Sequence, residues 1–435
     1  MERRRPLPGA GAAGALPPPP IDAAGASSLA AALLARERGG AAAATWRPLQ
    51  RARLSALALA PGPELATDAA GPRGEVLWLD IDPIEGRYAL ASAGDGAIEV
   101  FDLWDANSGT GHAPLRLPPA GSIRQRNRPE SAHRYAATCV CWYPVDTGMF
   151  VSGSADKTLR LWDTNALDAV CVFPCAARVT CCAMSPVARA HCLVAVGGEG
   201  RAVQLADPAI GAFTHVLSGH RDSVQALAWC LGCEHQLLSG DASGEVRLWD
   251  VRRPGSRALL DLNFTGRGGR KRPAGGGRAL AHDAAVTSLL ALPGGLRWLS
   301  AGRDGRVRLW DAASRANLLV HYPGAAAPSR RPVRMAATED ARWLFHPCGT
   351  AVQVFDVASG ALLTRLRQGH FEPVNACAWS PLTQQLYTAA SDGVLLAWAP
   401  RVEVPLEDEE RWAPVGGAPL PDWAVLDEDA WSDGY

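Results

Sequence analysis

Lysine is almost missing from this chain. Lys157 and Lys271 are the two among 435 residues, so nearly all of the 43 positive charges are arginine. With the excess of alanine and glycine, this imbalance has the look of a coding bias, and runs of Ala, Arg or Gly carry little functional weight. Long apolar runs are missing too. No stretch of about 18 uncharged apolar residues occurs, which excludes a membrane-spanning helix. The Ala-rich start is interrupted by four prolines at 17–20 and by Asp22, which argues against a secretory signal. Half of a zinc site is missing as well: Cys230-x-x-Cys233 with His235 has one half of the spacing, but no second pair follows, so no metal is expected. The 11 cysteines are an odd number, and Cys139, Cys141, Cys181, Cys182 and Cys377 sit inside strand-like runs. That suits buried thiols in a reducing compartment rather than a disulfide framework.

Net charge is close to zero, at −1, but unevenly spread. Residues 1–53 hold eight Arg against three acids, 262–280 hold five basic residues and no acid, and 403–435 hold ten acids against one Arg. Residues 1–26, rich in Gly, Ala and then Pro, cannot bury a core. The acidic tail from 403, with Trp412, Trp423 and Trp431 as candidate docking anchors, reads similarly, so both termini are expected to be disordered. The basic run at 266–278 is open to three readings: a nuclear import signal, a nucleic-acid contact or a solvated insertion. No aromatic residue interleaves its charges, so it offers no stacking platform, and direct DNA binding is not expected.

What the chain has in quantity is repetition. Between 219 and 253, Gly219-His220 opens a block of three short β-rich runs, parted by Gly, Asp and Ser turns, that closes on Trp249-Asp250. Phe101-Asp102, Trp162-Asp163, Ala206-Asp207, Trp310-Asp311, Phe355-Asp356 and Trp398 close six similar blocks. Four of the intervals between these ends are 42 to 45 residues, and the other two are 61. A repeat of about 40–45 residues with four strands per unit predicts an all-β fold, a seven-bladed WD40 β-propeller over 51–402. The weakly alternating run at 54–60 is expected to close the ring as the outer strand of blade seven, because open edges invite aggregation. Residues 27–50 are expected to form a short helical extension. Ser27 and Ser28 are candidate N-caps, Leu29, Leu33 and Leu34 share a face, and Gly39-Gly40 stops the first helix. That helix either packs on its own domain or serves as a peg for a partner's groove.

One polar set recurs: His133, Ser152, Asp156 and Trp162 in blade two, His282, Ser300, Asp304 and Trp310 in blade five, and His370, Thr388, Asp392 and Trp398 in blade seven. On paper it resembles a hydrolase triad. An active site would not be copied around a ring, whereas a polar network that satisfies buried groups would be. The chain is therefore expected not to be an enzyme, with no catalytic residue and no cofactor. Blade four has Ser243 at the expected Asp position and Asp241 two residues early, which predicts a rearranged or weaker network there.

Several stretches lie in loops and turns that a generic repeat would not dictate. They include Asp82-Pro-Ile-Glu-Gly-Arg-Tyr88, Cys141-Trp-Tyr-Pro-Val-Asp-Thr-Gly-Met-Phe150, Trp162-Asp-Thr-Asn165, Leu248-Trp-Asp-Val-Arg-Arg253, Leu396-Ala-Trp-Ala-Pro400 and Glu428-Asp-Ala-Trp-Ser432. Together they resemble the Cockayne syndrome group A family of WD-repeat proteins, substrate receptors of cullin-4-type RING ubiquitin ligases. The resemblance implies a nuclear substrate-recognition subunit, docked on a cullin-RING ligase through the large damaged-DNA-binding adaptor subunit. It implies work in transcription-coupled nucleotide excision repair, with the Cockayne syndrome group B ATPase and the RNA polymerase II complex as partners. It further implies that Leu33, Leu34, Arg36 and Leu49 of an N-terminal helix-loop-helix bind the adaptor, together with Trp249, Asp250 and Arg252 of a W-D-x-R element. That element occurs once in the chain. An arginine just past a strand end projects from the rim, where its guanidinium can make bidentate contacts that lysine cannot. The alternative is a generic WD scaffold for chromatin or RNA-processing complexes.

Overall fold

Each repeat unit folds as a small antiparallel sheet, because its short runs of β-branched and apolar residues are separated by Gly, Asp and Ser turns. The computed structural model describes residues 57–59, 65–66, 74–104, 119–253, 255–265, 279–326, 331–367 and 369–400. Blade one is Val76–Ile81, Tyr88–Ala93, Ile98–Asp102 and Gly121–Ile123; blade two is Ala137–Trp142, Met149–Ser154, Thr158–Asp163 and Asp168–Pro174. Blade three is Val179–Met184, Val194–Gly198, Ala202–Asp207 and Ala212–Ser218; blade four is Val224–Trp229, Gln236–Asp241, Val246–Asp250 and Ser256–Leu259. Blade five keeps three strands, Val286–Ala291, Arg297–Gly302 and Val307–Asp311. Blade six is Ala336–Ala337, Trp343–Cys348, Ala351–Asp356 and Leu362–Leu366, and blade seven starts with Val374–Ser380, Gln385–Ala390 and Val394–Pro400.

The first strand of each sheet is the inner one, and inner strands pack against their neighbours around a ring. Side chains lace them together: Thr138 Oγ1 donates to the Val179 carbonyl at 2.9 Å, and Asn375 Nδ2 to that of Val76 at 2.7 Å. Where the inner strand of blade six is short, backbone does the work. Val333 N donates to Thr287 O in blade five at 3.0 Å, and Arg334 N to Asn375 O in blade seven at 2.9 Å. The ring therefore closes with seven sheets. At the seam, Leu57–Leu59 pairs with Trp398, Ala399 and Pro400, and Leu65–Ala66 pairs with Leu395 and Val394. The expected closing strand lies in this place.

Blade five departs from the four-strand expectation. The chain after Asp311 turns through Arg315 and Leu319, both at positive φ (62° and 55°), so it touches the third strand through one bridge, Trp310 to Asn317. Asn317 instead donates to the carbonyls of Phe264 and Leu262, the base of the basic insertion.

Between blades the packing is aromatic. Trp142, Trp162, Trp249, Trp298, Trp310 and Trp343 are among the largest fully buried side chains. Phe150 stacks on Trp162 within blade two, ring centroids 5.9 Å apart, and both rings pack on Leu90, Ile98 and Val100 of blade one; burying one such ring stabilises by roughly 1.5–3 kcal/mol. The first and third strands of a blade run parallel, since each is antiparallel to the second. Inner strands thus begin on one face of the ring, the start face, which also holds the turns between second and third strands. Turns after first and third strands lie on the opposite, end face. Among the described residues, no helix is long and apolar enough to cross a membrane.

Candidate functional site

Turn chemistry places the repeated polar set. In blade two, His133 Nδ1 meets Asp156 at 2.9 Å, His133 Nε2 meets Ser152 Oγ at 2.7 Å, and the Trp162 indole donates to the same hydroxyl at 2.7 Å. Blade five repeats this with His282, Asp304, Ser300 and Trp310 at 3.0, 2.7 and 2.9 Å. Blade seven repeats it with His370, Asp392, Thr388 and Trp398 at 3.1, 2.8 and 2.9 Å. The donor chain that satisfies every atom runs from indole to hydroxyl, hydroxyl to imidazole, and imidazole to carboxylate.

Burial lowers the pKa of His133 and His282 despite the pull of their aspartates, so neutral imidazole is favoured. For Asp156, Asp304 and Asp392, burial alone would raise the pKa. Hydrogen bonds outweigh it and hold all three carboxyls below the usual range.

In blade four the network is rearranged, as one of the two expectations had it, and it is not weakened. His220 Nδ1 meets Asp241 at 3.1 Å, His220 Nε2 meets Ser239, and the Trp249 indole donates to Ser239 at 2.6 Å. The carboxylate comes from the end of the second strand rather than from the turn. The Asp241 carboxylate also accepts a hydrogen bond from the Ser243 hydroxyl at 2.7 Å, which ties the turn down. Fixed spacing from the tryptophan hid this fourth set; Gly219-His220 was the available signal.

Ser152, Ser239, Ser300 and Thr388 have no exposure, so none of these hydroxyls can reach a substrate. His220, Asp241 and Glu245 form the one cluster of three metal-type ligands among the described residues. Its groups are engaged elsewhere: Glu245 holds Arg247 at 2.9 Å, and both His220 nitrogens are bonded. Cys230 is buried, its thiol pushed up to about 12 by desolvation, and Cys233 is half-buried.

The W-D-x-R element ends the third strand of blade four on the end face. Trp249 is fully buried and cannot touch a partner, which corrects its assignment as a contact residue; its role is to anchor the strand end through Ser239. Asp250 is 3% exposed. Its two oxygens accept from Arg252 Nε and Nη2, each at 3.0 Å, and this fork holds the carboxyl down at about 2. The Arg252 side chain remains 57% exposed. The guanidinium is thus oriented by one edge and open to solvent along the other, a geometry suited to bidentate capture of a carboxylate or carbonyl. Beside it, the rings of His191 and His235 lie 5.4 Å apart, and Glu234 accepts the Arg189 N–H at 2.8 Å. Leu33, Leu34, Arg36 and Leu49, with the whole predicted helical extension, lie outside the described residues, as do the basic run 266–278 and the acidic tail.

Residues 127–163, 211–250, 278–311 and 360–398 match the family described as WD domain, G-beta repeat. These segments close blades two, four, five and seven, the four that carry the polar network. Over 421 residues the chain is 34% identical to WD repeat-containing protein ATCSA-1 of Arabidopsis thaliana, covering 83% of this chain and 91% of that protein. The chain belongs to the WD-repeat family. Other relatives of this WD-repeat protein match less of it. Ribosome biogenesis protein YTM1 of Meyerozyma guilliermondii is 27% identical over 46% of each chain. Radiation-sensitive protein 28 of Saccharomyces cerevisiae is 31% identical over 28% of this chain and 25% of its own.

Proposed function

We propose that this WD-repeat protein is the substrate-recognition subunit of a cullin-RING E3 ubiquitin ligase, attached through the large damaged-DNA-binding adaptor subunit. We place its work in the nucleus, in transcription-coupled nucleotide excision repair, with the Cockayne syndrome group B ATPase and the RNA polymerase II complex as partners. The observation that carries the reading is Arg252, exposed on the end face and held in one orientation by Asp250. A preoriented side chain loses little freedom on binding, so more of its interaction energy appears as affinity. The relation to ATCSA-1 along 91% of that protein supports the same assignment as the loop motifs. The receptor supplies proximity, holding a target beside the ligase, and performs no bond chemistry itself.

The adaptor is expected to co-purify with the wild-type chain. Arg252→Glu and Leu33→Asp should each cut recovery at least about tenfold, the scale of a lost hot-spot contact, while the melting temperature stays put. Undiminished adaptor recovery by both variants would overturn the reading. A second reading, a scaffold in ribosome or RNA-processing assembly, draws support from the 27% identity to YTM1. Mass spectrometry of purified complexes separates the two, since cullin and adaptor accompany the first and pre-ribosomal factors the second.

A further inference from the structure

Blade three breaks the pattern that its neighbours keep. Four residues ahead of their inner strands, blades two, four, five and seven place His133, His220, His282 and His370; blade three places Cys175. Strand register puts Val196 opposite Cys182, as Ser152 lies opposite Val140, and Ala206 opposite Val194, as Trp162 lies opposite Phe150. Gly200 stands six residues before Ala206, where Asp156 stands before Trp162. Each replacement removes volume at one spot: imidazole, carboxylate and indole are all gone. A cleft of about 120 Å³ opens there on the start face, lined by Cys175, Val196, Gly200 and Gln204 among others. An apolar cavity of ~150 Å³ takes up benzene, so the cleft has room for about one ring or branched side chain.

Its rim is cationic. Arg178 and Arg201 border the cleft, and both are exposed. Lys157, also exposed, is tied beside it because its carbonyl accepts the Cys175 N–H at 2.8 Å. Glu199, 3.7 Å from Arg178, is the one acid among these described rim residues. A second cleft of about 350 Å³ shares Arg178 and Val179 and reaches the inner-strand residues Leu77, Thr138 and Asn375, so a track leads from the slot toward the centre of the ring.

We propose that the blade-three cleft docks an acidic peptide segment of a partner protein. The segment inserts one bulky apolar or aromatic side chain where other blades insert their own histidine and tryptophan. Arg178, Arg201 and Lys157 receive its flanking carboxylates. A peptide fits better than a nucleic acid, because no aromatic side chain lines the cleft for a base to stack on. The site lies on the face opposite Arg252 and stands independently of adaptor docking.

The test uses the full chain and fluorescein-labelled peptides of about twelve residues, with one Trp, Phe or Leu among Asp, Glu and Ser. Matched peptides carry Ala at the anchor or Lys for the acids, and an oligo-dT probe completes the set. A Cβ at Gly200 would meet nothing nearer than Ala177 Cβ at 3.9 Å, so the backbone there accepts a side chain, and Gly200→Leu is the variant chosen to occupy the cleft. Binding should require both the anchor and the acids, fall at least tenfold in Gly200→Leu and several-fold in Arg201→Glu, with both variants melting like wild type. Binding that ignores the anchor, binding that survives Gly200→Leu, or an oligo-dT probe that binds while the peptides do not would overturn the proposal.

Discussion

A single hydroxyl joins two larger side chains in each of four blades. Ser300 accepts the Trp310 indole and meets His282 Nε2, with all three side chains out of solvent. Ser300→Ala strands both partners, and leaving a buried polar group unpaired costs roughly 1–3 kcal/mol each. The variant should lose about 2–6 kcal/mol by denaturant titration; a loss below about 0.5 kcal/mol would count against the network as a stabilising device. Residue identity alone exposed three of these sets, because His, Ser or Thr, Asp and Trp recur at fixed offsets. The fourth was obscured by a two-residue shift of its aspartate. The offset is a property of the turn, but the requirement is spatial, and the end of a strand can deliver a carboxylate to the same imidazole. Trp249 shows the reverse limit. Its neighbours Asp250 and Arg252 suggested a contact residue, yet Trp249 lies at a strand end buried on both faces, where Leu248 and Asp250 are out of solvent as well.

At the scale of elements, the seam and the outer strands decide how the ring ends. Val394–Pro400 would be a bare edge without Leu57–Leu59 and Leu65–Ala66. Deleting residues 1–66 should lower the melting temperature by several degrees and cause concentration-dependent light scattering, because unpaired edges template aggregation. Deleting only 1–53 should do neither, and equal behaviour of the two truncations would refute the assigned closure. The closing run was legible from weak alternation and from the need for a partner. The missing outer strand of blade five was not. Nothing local in 312–320 forbids a strand; the insertion at 262–264 competes for Asn317, and that competition exists once the chain has brought residues 55 apart together.

At the scale of the whole molecule, the networks make the ring sensitive to acid. His133 and His282 titrate lower when folded than the ~6.5 of a free imidazole, so below that pH the unfolded chain takes up protons first and stability falls. Asp156, Asp241, Asp304 and Asp392 are also depressed, so their stabilisation, present above about pH 4, is lost as pH falls toward their folded values. Both effects have one sign. Melting temperature should be level above about pH 7, decline from about 6.5 and drop more steeply below about 4; thermal scans from about pH 2 to 8 check this, and a maximum near pH 5 would contradict it. Blade number and three of the four polar sets could be read in one dimension, since period and spacing are carried by neighbouring residues. Ring closure through blade six, the orientation of Arg252 by Asp250 and the vacancy in blade three required the folded chain. Each depends on which atoms from distant residues share a volume, and a linear spacing does not encode volume.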